Sequence, residues 1–365
     1  MMPRSRAESL ILSKAWSQAI AAFAFLLLVT LTTALHSQTA SPWPEADRLF
    51  HSDPRWLGSD AAFSVDLGHG RILWLFADTW IAHPGSHSRR NAAFVHNTIA
   101  IDNGYDPAHA AIQFFWHTRH AQPSEILLSD DNTWVWPGAG IRIGSSLILF
   151  AERVAPDHSK NSLGFKGVGW NAYLISNPDD DPSLWRPRLI ASRHDDVILA
   201  SAVLRQGDFI YLFGANDRHD LYLARINAKD LVAGDFSWLA WWTGNNWSAV
   251  SAARKPIMRN VDTETSIQRD PRGRGFIEIN SQSFGASDIV MRTASALTGP
   301  WTAPRVVYRP PESDQPDPFV YAAKSHAELR GADLVVTYAT NGFTDHAMED
   351  MARYFPRFVR ITLPR

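Results

Sequence analysis

One pattern recurs five times along this chain and constrains its fold more than any other feature. A strand of small residues is followed by a polar turn, then by an apolar and aromatic strand that ends in polar residues. The second-strand cores read ILWLFADT, LILFAERV, FIYLFGAND, FIEINSQS and LVVTYATNG. Their equivalent positions are Phe76, Phe150, Phe213, Ile279 and Tyr338, separated by 74, 63, 66 and 59 residues. The first strands of the pairs are expected to begin near Asp60, Gly138, Ala200, Glu264 and His326. A period of about 65 residues marks an array of like units rather than a single irregular sheet.

Further strands complete each unit. FVHNTIAI and IQFFWHTR fit the first, GWNAYLIS and WRPRLI the second, DLYLARIN and FSWLAWW the third, and DIVMRTAS and PRVVYRPP the fourth. Four antiparallel strands per unit is the layout of a propeller blade. The fifth unit has only FVRITL after its hairpin, so its outer strand is expected from the N-terminal segment near Leu49, closing the ring and covering an open edge. RPPESDQPDPF, Arg309 to Phe319, reads as a linker between blades. The expected fold is all-β, one five-bladed β-propeller over residues 41–365; the repeat argues against a pair of β-sandwiches.

The first forty residues differ in kind. Arg4, Arg6 and Lys14 precede an apolar run from Ala19 to Leu35, and the small polar stretch HSQTASPWP follows. A basic start, an apolar middle and a small-residue zone are the parts of a secretory signal peptide. Residues 1–40 are therefore expected to be a cleaved leader, cut between Ala34 and Ala40, and the product secreted or periplasmic. The run is at the short limit for a membrane span, and no second run of spanning length follows. The net charge of -2 gives no footprint for nucleic acid. With no cysteine in the chain, disulfides, thiol catalysis and Cys-zinc sites are excluded.

In a propeller the innermost strands surround a central channel, so their starting residues converge on one mouth. Three of the five starts carry a carboxylate: Asp60, Glu264 and Glu328. Hydrolysis of a glycosidic bond needs two, one to donate a proton and one to act as base or nucleophile. The second-strand ends add Asp78, Glu152, Asn216, Gln282 and Asn341 behind them. Asp78 shares a hairpin with Asp60 and can tune it; capping a turn is the plainer reading. Trp136, before Pro137 and Gly138, offers a flat apolar face to a sugar. Trp80, Asn97 and Tyr321 are weaker candidates. Arg269 could hold a substrate oxygen or pair with Asp270. His326 reads as a hydrogen-bonding residue, because no His/Asp/Glu spacing here suits zinc. No cofactor is expected, although PDDDP, Pro178 to Pro182, leaves a structural calcium ion open against the plainer reading of a solvated turn.

The ordered motifs SDAAFSVDL, LWLFADTW, HNTIAI, WPGAG, ETSIQRDP and HAEL together resemble a bacterial secreted family of five-bladed propellers, formerly of unknown function, that includes endo-D-arabinanases. ASALTGPW, Ala294 to Trp301, is similar to an outer-blade signature of the wider five-bladed furanosidases, the arabinanases and β-xylosidases. The resemblance implies a glycoside hydrolase acting on a furanose-containing glycan. It places the base or nucleophile on Asp60 and the acid on Glu264, with Asp78 and Glu328 in support. It also implies an acid in the blade-two motif where this chain has Ala139. For that reason the rival reading is a non-catalytic propeller that binds carbohydrate. A sialidase-type site would need three arginines at the mouth, and only Arg269 is placed for that. The expected partner is a polysaccharide or oligosaccharide, with neither nucleic acid nor, after leader cleavage, a membrane.

Overall fold

The second strands of the repeat are apolar without alternation because both of their faces are covered by neighbouring blades, as happens wherever a strand is buried on two sides. Phe76, Phe150, Phe213 and Ile279 are fully buried, and Tyr338 nearly so. The computed structural model describes residues 38–129, 132–159, 163–283, 285–342 and 349–364. Within them, residues 40–361 make one compact unit. Of the expected leader, residues 1–40, positions 1–37 lie outside the described residues. No helix among the described residues is long and apolar enough to cross a membrane.

Five antiparallel sheets form a five-bladed β-propeller. Blade one runs Trp56–Gly68, Arg71–Ile81, Thr98–Asn103, Ala111–Phe115, with Ala93–Val95 added beside the second strand. Blade two runs Trp134–Ile143, Ser146–Pro156, Phe165–Ile175, Arg188–Arg193. Blade three begins Ile198–Gln206, Phe209–Ala215, Asp220–Asn227 and Ala240–Trp242. Blade four runs Ser266–Arg269, Phe276–Ser281, Ile289–Ala294, Arg305–Tyr308. Blade five runs Phe319–Ser325, Leu334–Asn341, Arg357–Thr362 and ends on Thr39–Pro42. The innermost strands touch in cyclic order, one to five and back to one.

Two features differ from expectation. The strand that completes blade five is Thr39–Pro42, not the segment near Leu49. Leu49 and Phe50 lie instead in a short helical turn, Arg48–His51, and both are buried. Phe50 stacks on Phe358 of blade five at 5.2 Å and meets Trp74 and Phe76 of blade one edge-on at 5.0 and 5.5 Å. The segment is an aromatic wedge between the first and last blades, and full burial of such a ring contributes roughly 1.5–3 kcal/mol. The second difference is in blade five. Its inner strand starts at Phe319, where the expected linker ends, and not near His326.

Candidate functional site

The inner strands are not regular where they approach the mouth. Ala61 and Ala62, directly after Asp60, are left-handed at φ 66° and 58°, and Ala322 in blade five is left-handed at φ 58°. Strand pairing slips at the same level, between Ser59, Ala61 and Phe63 in blade one and between Tyr321 and Lys324 in blade five. Left-handed alanine costs about 1–2 kcal/mol per residue, and irregularities of this kind re-aim side chains. Gly58 permits the kink. At φ +113° it also lies so close to the Tyr354 carbonyl that a Cβ would clash with it.

Beneath the kinks lies Lys324, 1% exposed on its side chain. Its ammonium donates to the Ala61 and Ala322 carbonyls, is 3.3 Å from Glu264 Oε1, and sits 4.4 Å from the Phe63 ring centre. One buried cation thus joins blades one, four and five. The residue after Glu264 is anchored in blade four. Thr265 donates to Glu278 Oε1 and to the Ile279 carbonyl, and Glu278 forms a fully buried ion pair with Arg292 at 2.8 Å.

These devices bring four carboxylates to one pocket of about 360 Å³: Asp60, Asp78, Glu152 and Glu264. Trp136, Tyr321, Asn341 and Tyr354 share its wall. Tyr321 and Tyr354 both donate to Asp60 Oδ2, at 2.7 and 3.4 Å. Asp60 Oδ1 is shielded and has no hydrogen-bond partner among the described residues. Asp78 Oδ1 accepts from Trp136 Nε1 at 2.8 Å and meets His96 Nδ1 at 2.9 Å. Burial, with the charges of Asp78 and Glu264 beside it, raises the Asp60 carboxyl well above the usual range. Burial, with Glu264 and Asp217 nearby, pushes the Glu152 carboxyl up to about 8.

Glu152 is a pocket residue that the sequence pattern sets one strand back. It faces Trp136 across the sheet, beside a slip in pairing between Leu149 and Ala151. Gly167 leaves room for it: a Cβ there would clash with Glu152 Oε1. Ala139, where the resemblance implied an acid, lines a different cavity of about 250 Å³. The fourth carboxylate of the pocket therefore comes from the next strand.

Several expected site residues lie elsewhere. Glu328 and His326 follow the inner strand of blade five instead of opening it, and they line that other cavity with Ser64. His326 bridges Ser64 and Thr337 at 2.6 and 2.8 Å, and burial lowers it to about 3, a neutral packing residue. Burial raises Glu328. Arg269 closes the inner strand of blade four, exposed, and reaches the Arg205 carbonyl. Asn97 is fully buried and saturated: it donates to the Leu127 and Val135 carbonyls and accepts from the amides of Ile126 and Leu127. Asn216 caps a turn by accepting from the amides of Arg218 and Asp220, and Gln282 is exposed. Trp80 is outside the pocket wall, packed on Phe94 at 4.6 Å. In PDDDP the aspartates part ways, Asp179 to Arg142, Asp180 to Asn177 and Asp181 to Ser183. Among the described residues no group of three or more His, Asp or Glu could hold a metal ion.

With this geometry in view, comparison with known proteins adds the lineage. The family described as Domain of unknown function (DUF5005) matches residues 45–363. The chain belongs to the DUF5005 family. Notoamide biosynthesis cluster protein J' of Aspergillus versicolor is 23% identical to this DUF5005 protein over 308 residues, covering 76% of this chain and 80% of the other. The solved structure of a candidate hydrolase from Bacteroides ovatus superposes with a TM-score of 0.71 at 19% identity, over 89% of this chain and 90% of that one. An α-L-arabinofuranosidase of Podospora anserina gives a TM-score of 0.45 at 10% identity, over 90% and 98% of the two chains. At such identities the likeness is one of fold. The lineage is thus DUF5005, and the endo-D-arabinanase membership implied by the sequence motifs is a finer statement than the match supports.

Proposed function

We propose that this DUF5005 protein is an exported glycoside hydrolase acting on a neutral, furanose-containing glycan of the arabinan type. One observation carries the reading: four carboxylates and the Trp136 face converge on a single pocket whose described lining contains no arginine or lysine. Such a lining offers nothing to an acidic sugar and disfavours the sialidase type, which needs an arginine cluster. It suits uncharged sugar hydroxyls, which carboxylates accept from, and the apolar face of a ring, which Trp136 covers.

In this reading Asp60 is the working carboxylate of the pocket. It takes a proton from the attacking water, or bonds to the anomeric carbon itself, while the phenols of Tyr321 and Tyr354 hold Oδ2. Glu264 donates the proton that leaves with the glycosidic oxygen, and the C–O bond breaks with one water consumed overall. Burial first, and then the charges of Asp78 and Glu264, raise the Asp60 carboxyl, so it acts as base in the protein molecules in which it is ionised, with Asp78 fixed beside it by Trp136 and His96. A second reading of the donor is favoured by one fact: Glu152, pushed up to about 8, retains its proton at neutral pH. The two are told apart by substrates with good and poor leaving groups. Loss of the true donor slows poor leaving groups most, so Glu264→Gln is expected to show that selectivity and Glu152→Gln to lack it.

The test of the whole reading is sugar release from arabinans, arabinogalactans and xylans by the purified protein. Release from none of them, with binding retained, would leave the non-catalytic carbohydrate-binding propeller. Export is tested by the N-terminus of the mature protein, expected between residues 34 and 41.

A further inference from the structure

Beyond the pocket, the same strand alternation that points Asp78 inward lays out a row of aromatic rings. In Arg71–Ile81, Trp80 is two residues past Asp78 and so projects from the same side of the strand. Across the ladder, Trp80 pairs directly with Phe94 and Thr79 with Val95, which puts Phe94 and His96 on that side too. His96 stacks on Trp134 of blade two at 4.7 Å and 17°. Trp134 meets Trp136 at 6.4 Å. The row from Trp80 through Phe94 (4.6 Å), His96 (5.6 Å) and Trp134 to Trp136 is unbroken. It joins the pocket through Asp78, which both His96 and Trp136 contact.

The row is not core. Phe94 is 43% exposed, the His96 side chain 30%, and Trp80, Trp134 and Trp136 are each half-buried. Exposed apolar surface that is continuous with a polar pocket marks a binding face. Partly exposed rings suit the apolar faces of successive sugars.

We propose that this row is a track for a neutral glycan chain, with Trp80 and Phe94 holding sugar units outside the pocket that contains Asp60 and Glu264. It rests on the glycan reading of that pocket and extends it: the substrate is a polymer or long oligosaccharide, gripped along several units, and not a single terminal sugar.

The test is native affinity electrophoresis in gels containing debranched arabinan, arabinoxylan, galactan or hydroxyethylcellulose. It uses the full protein carrying Asp60→Asn, alone and combined with Phe94→Ala, Trp80→Ala or Phe94→Tyr. At least one polysaccharide is expected to retard the Asp60→Asn protein. Each alanine should weaken that binding about tenfold, the factor carried by one well-stacked ring, with Tm held, and Phe94→Tyr should restore it. Titration of arabino-oligosaccharides of two and eight units, if arabinan is bound, should show the loss for the longer chain only. Retardation by none of the four, or alanine variants that bind as tightly as their parent, would overturn the track. Binding lost in the alanine variants while the wild-type protein releases no sugar from the same polysaccharide would keep the track and remove the hydrolase reading.

Discussion

Lys324→Met tests how the pocket is held together. Methionine keeps the length and apolar stem of the lysine but removes its ammonium. The Ala61 and Ala322 carbonyls then lose their shared donor inside the protein, at about 1–3 kcal/mol each for an orphaned buried acceptor. The gain opposing this is relief from burying a charge, visible in the lowering of the Lys324 amine by burial. The balance is a loss of roughly 2–4 kcal/mol. It shows in urea denaturation as a lower midpoint at unchanged m. Function should fall with it. Ala61 and Ala322 hold left-handed backbone next to Asp60 and Tyr321, and the ammonium is what ties those two kinks together. A displacement of 1 Å at a catalytic carboxylate costs about a hundredfold in rate, so kcat/KM on the active polysaccharide should drop on that order. Ala61→Gly in the same background removes one left-handed alanine and should return about 1 kcal/mol. Lys324→Met with a midpoint and rate equal to wild type would refute the idea that the cation organises the site.

Three further outcomes follow from the same structure. Glu152 keeps a proton up to about pH 8 when folded but loses it near 4.5 when unfolded. The Glu152 contribution to stability is therefore largest at the acid end of that window and falls as pH rises, by up to about 1.4 kcal/mol per pH unit; urea titrations from pH 5 to 8 should show a flatter slope for Glu152→Gln. Arg292→Leu leaves the fully buried Glu278 without its ion pair and should cost about 3–5 kcal/mol, with partial recovery when Glu278→Gln is added, read by thermal unfolding. Gly167→Ala puts a methyl against Glu152 Oε1 and should turn that flexible carboxyl outward, costing under about 1 kcal/mol; the limb of the pH–kcat/KM profile that follows Glu152 should move to lower pH.

Much of the fold is legible because the second strands of five blades repeat one burial problem. Each is covered on both faces, so each is a short apolar run at a regular interval, and all five lie where the repeat places them. Inner strands are harder. Blades one and four have their carboxylates near the strand start, and Asp60, Trp136 and Glu264 meet as the repeat implies. Blade five breaks the pattern. Its inner strand, FVYAAKS, carries a left-handed alanine and a buried lysine, so it does not resemble a strand, and HAEL stands out in its place. Gln315 ends the short helical turn Pro311–Asp314, and the strand begins soon after, at Phe319. Tyr321 of that strand, and not Glu328, is therefore the blade-five residue that reaches Asp60.

Glu152 is hard to place from sequence for a related reason. Its entry into the pocket depends on a slip in strand pairing and on the missing side chain of Gly167, and neither leaves a mark on hydrophobic periodicity. Asn97 and Arg269 have the residue types of a sugar site, but buried hydrogen bonds satisfy the first and strand direction carries the second to the other end.

The most direct measurement is sugar release from debranched arabinan by the wild-type protein and by Asp60→Asn, Glu264→Gln and Glu152→Gln, each checked to be folded by a cooperative thermal transition above the assay temperature. Release by the wild-type protein that falls about a thousandfold or more in Asp60→Asn, and by at least about a hundredfold in one of the two glutamate variants, is the expected result. Undiminished release by all three folded variants would contradict the assignment of the pocket as the site of hydrolysis.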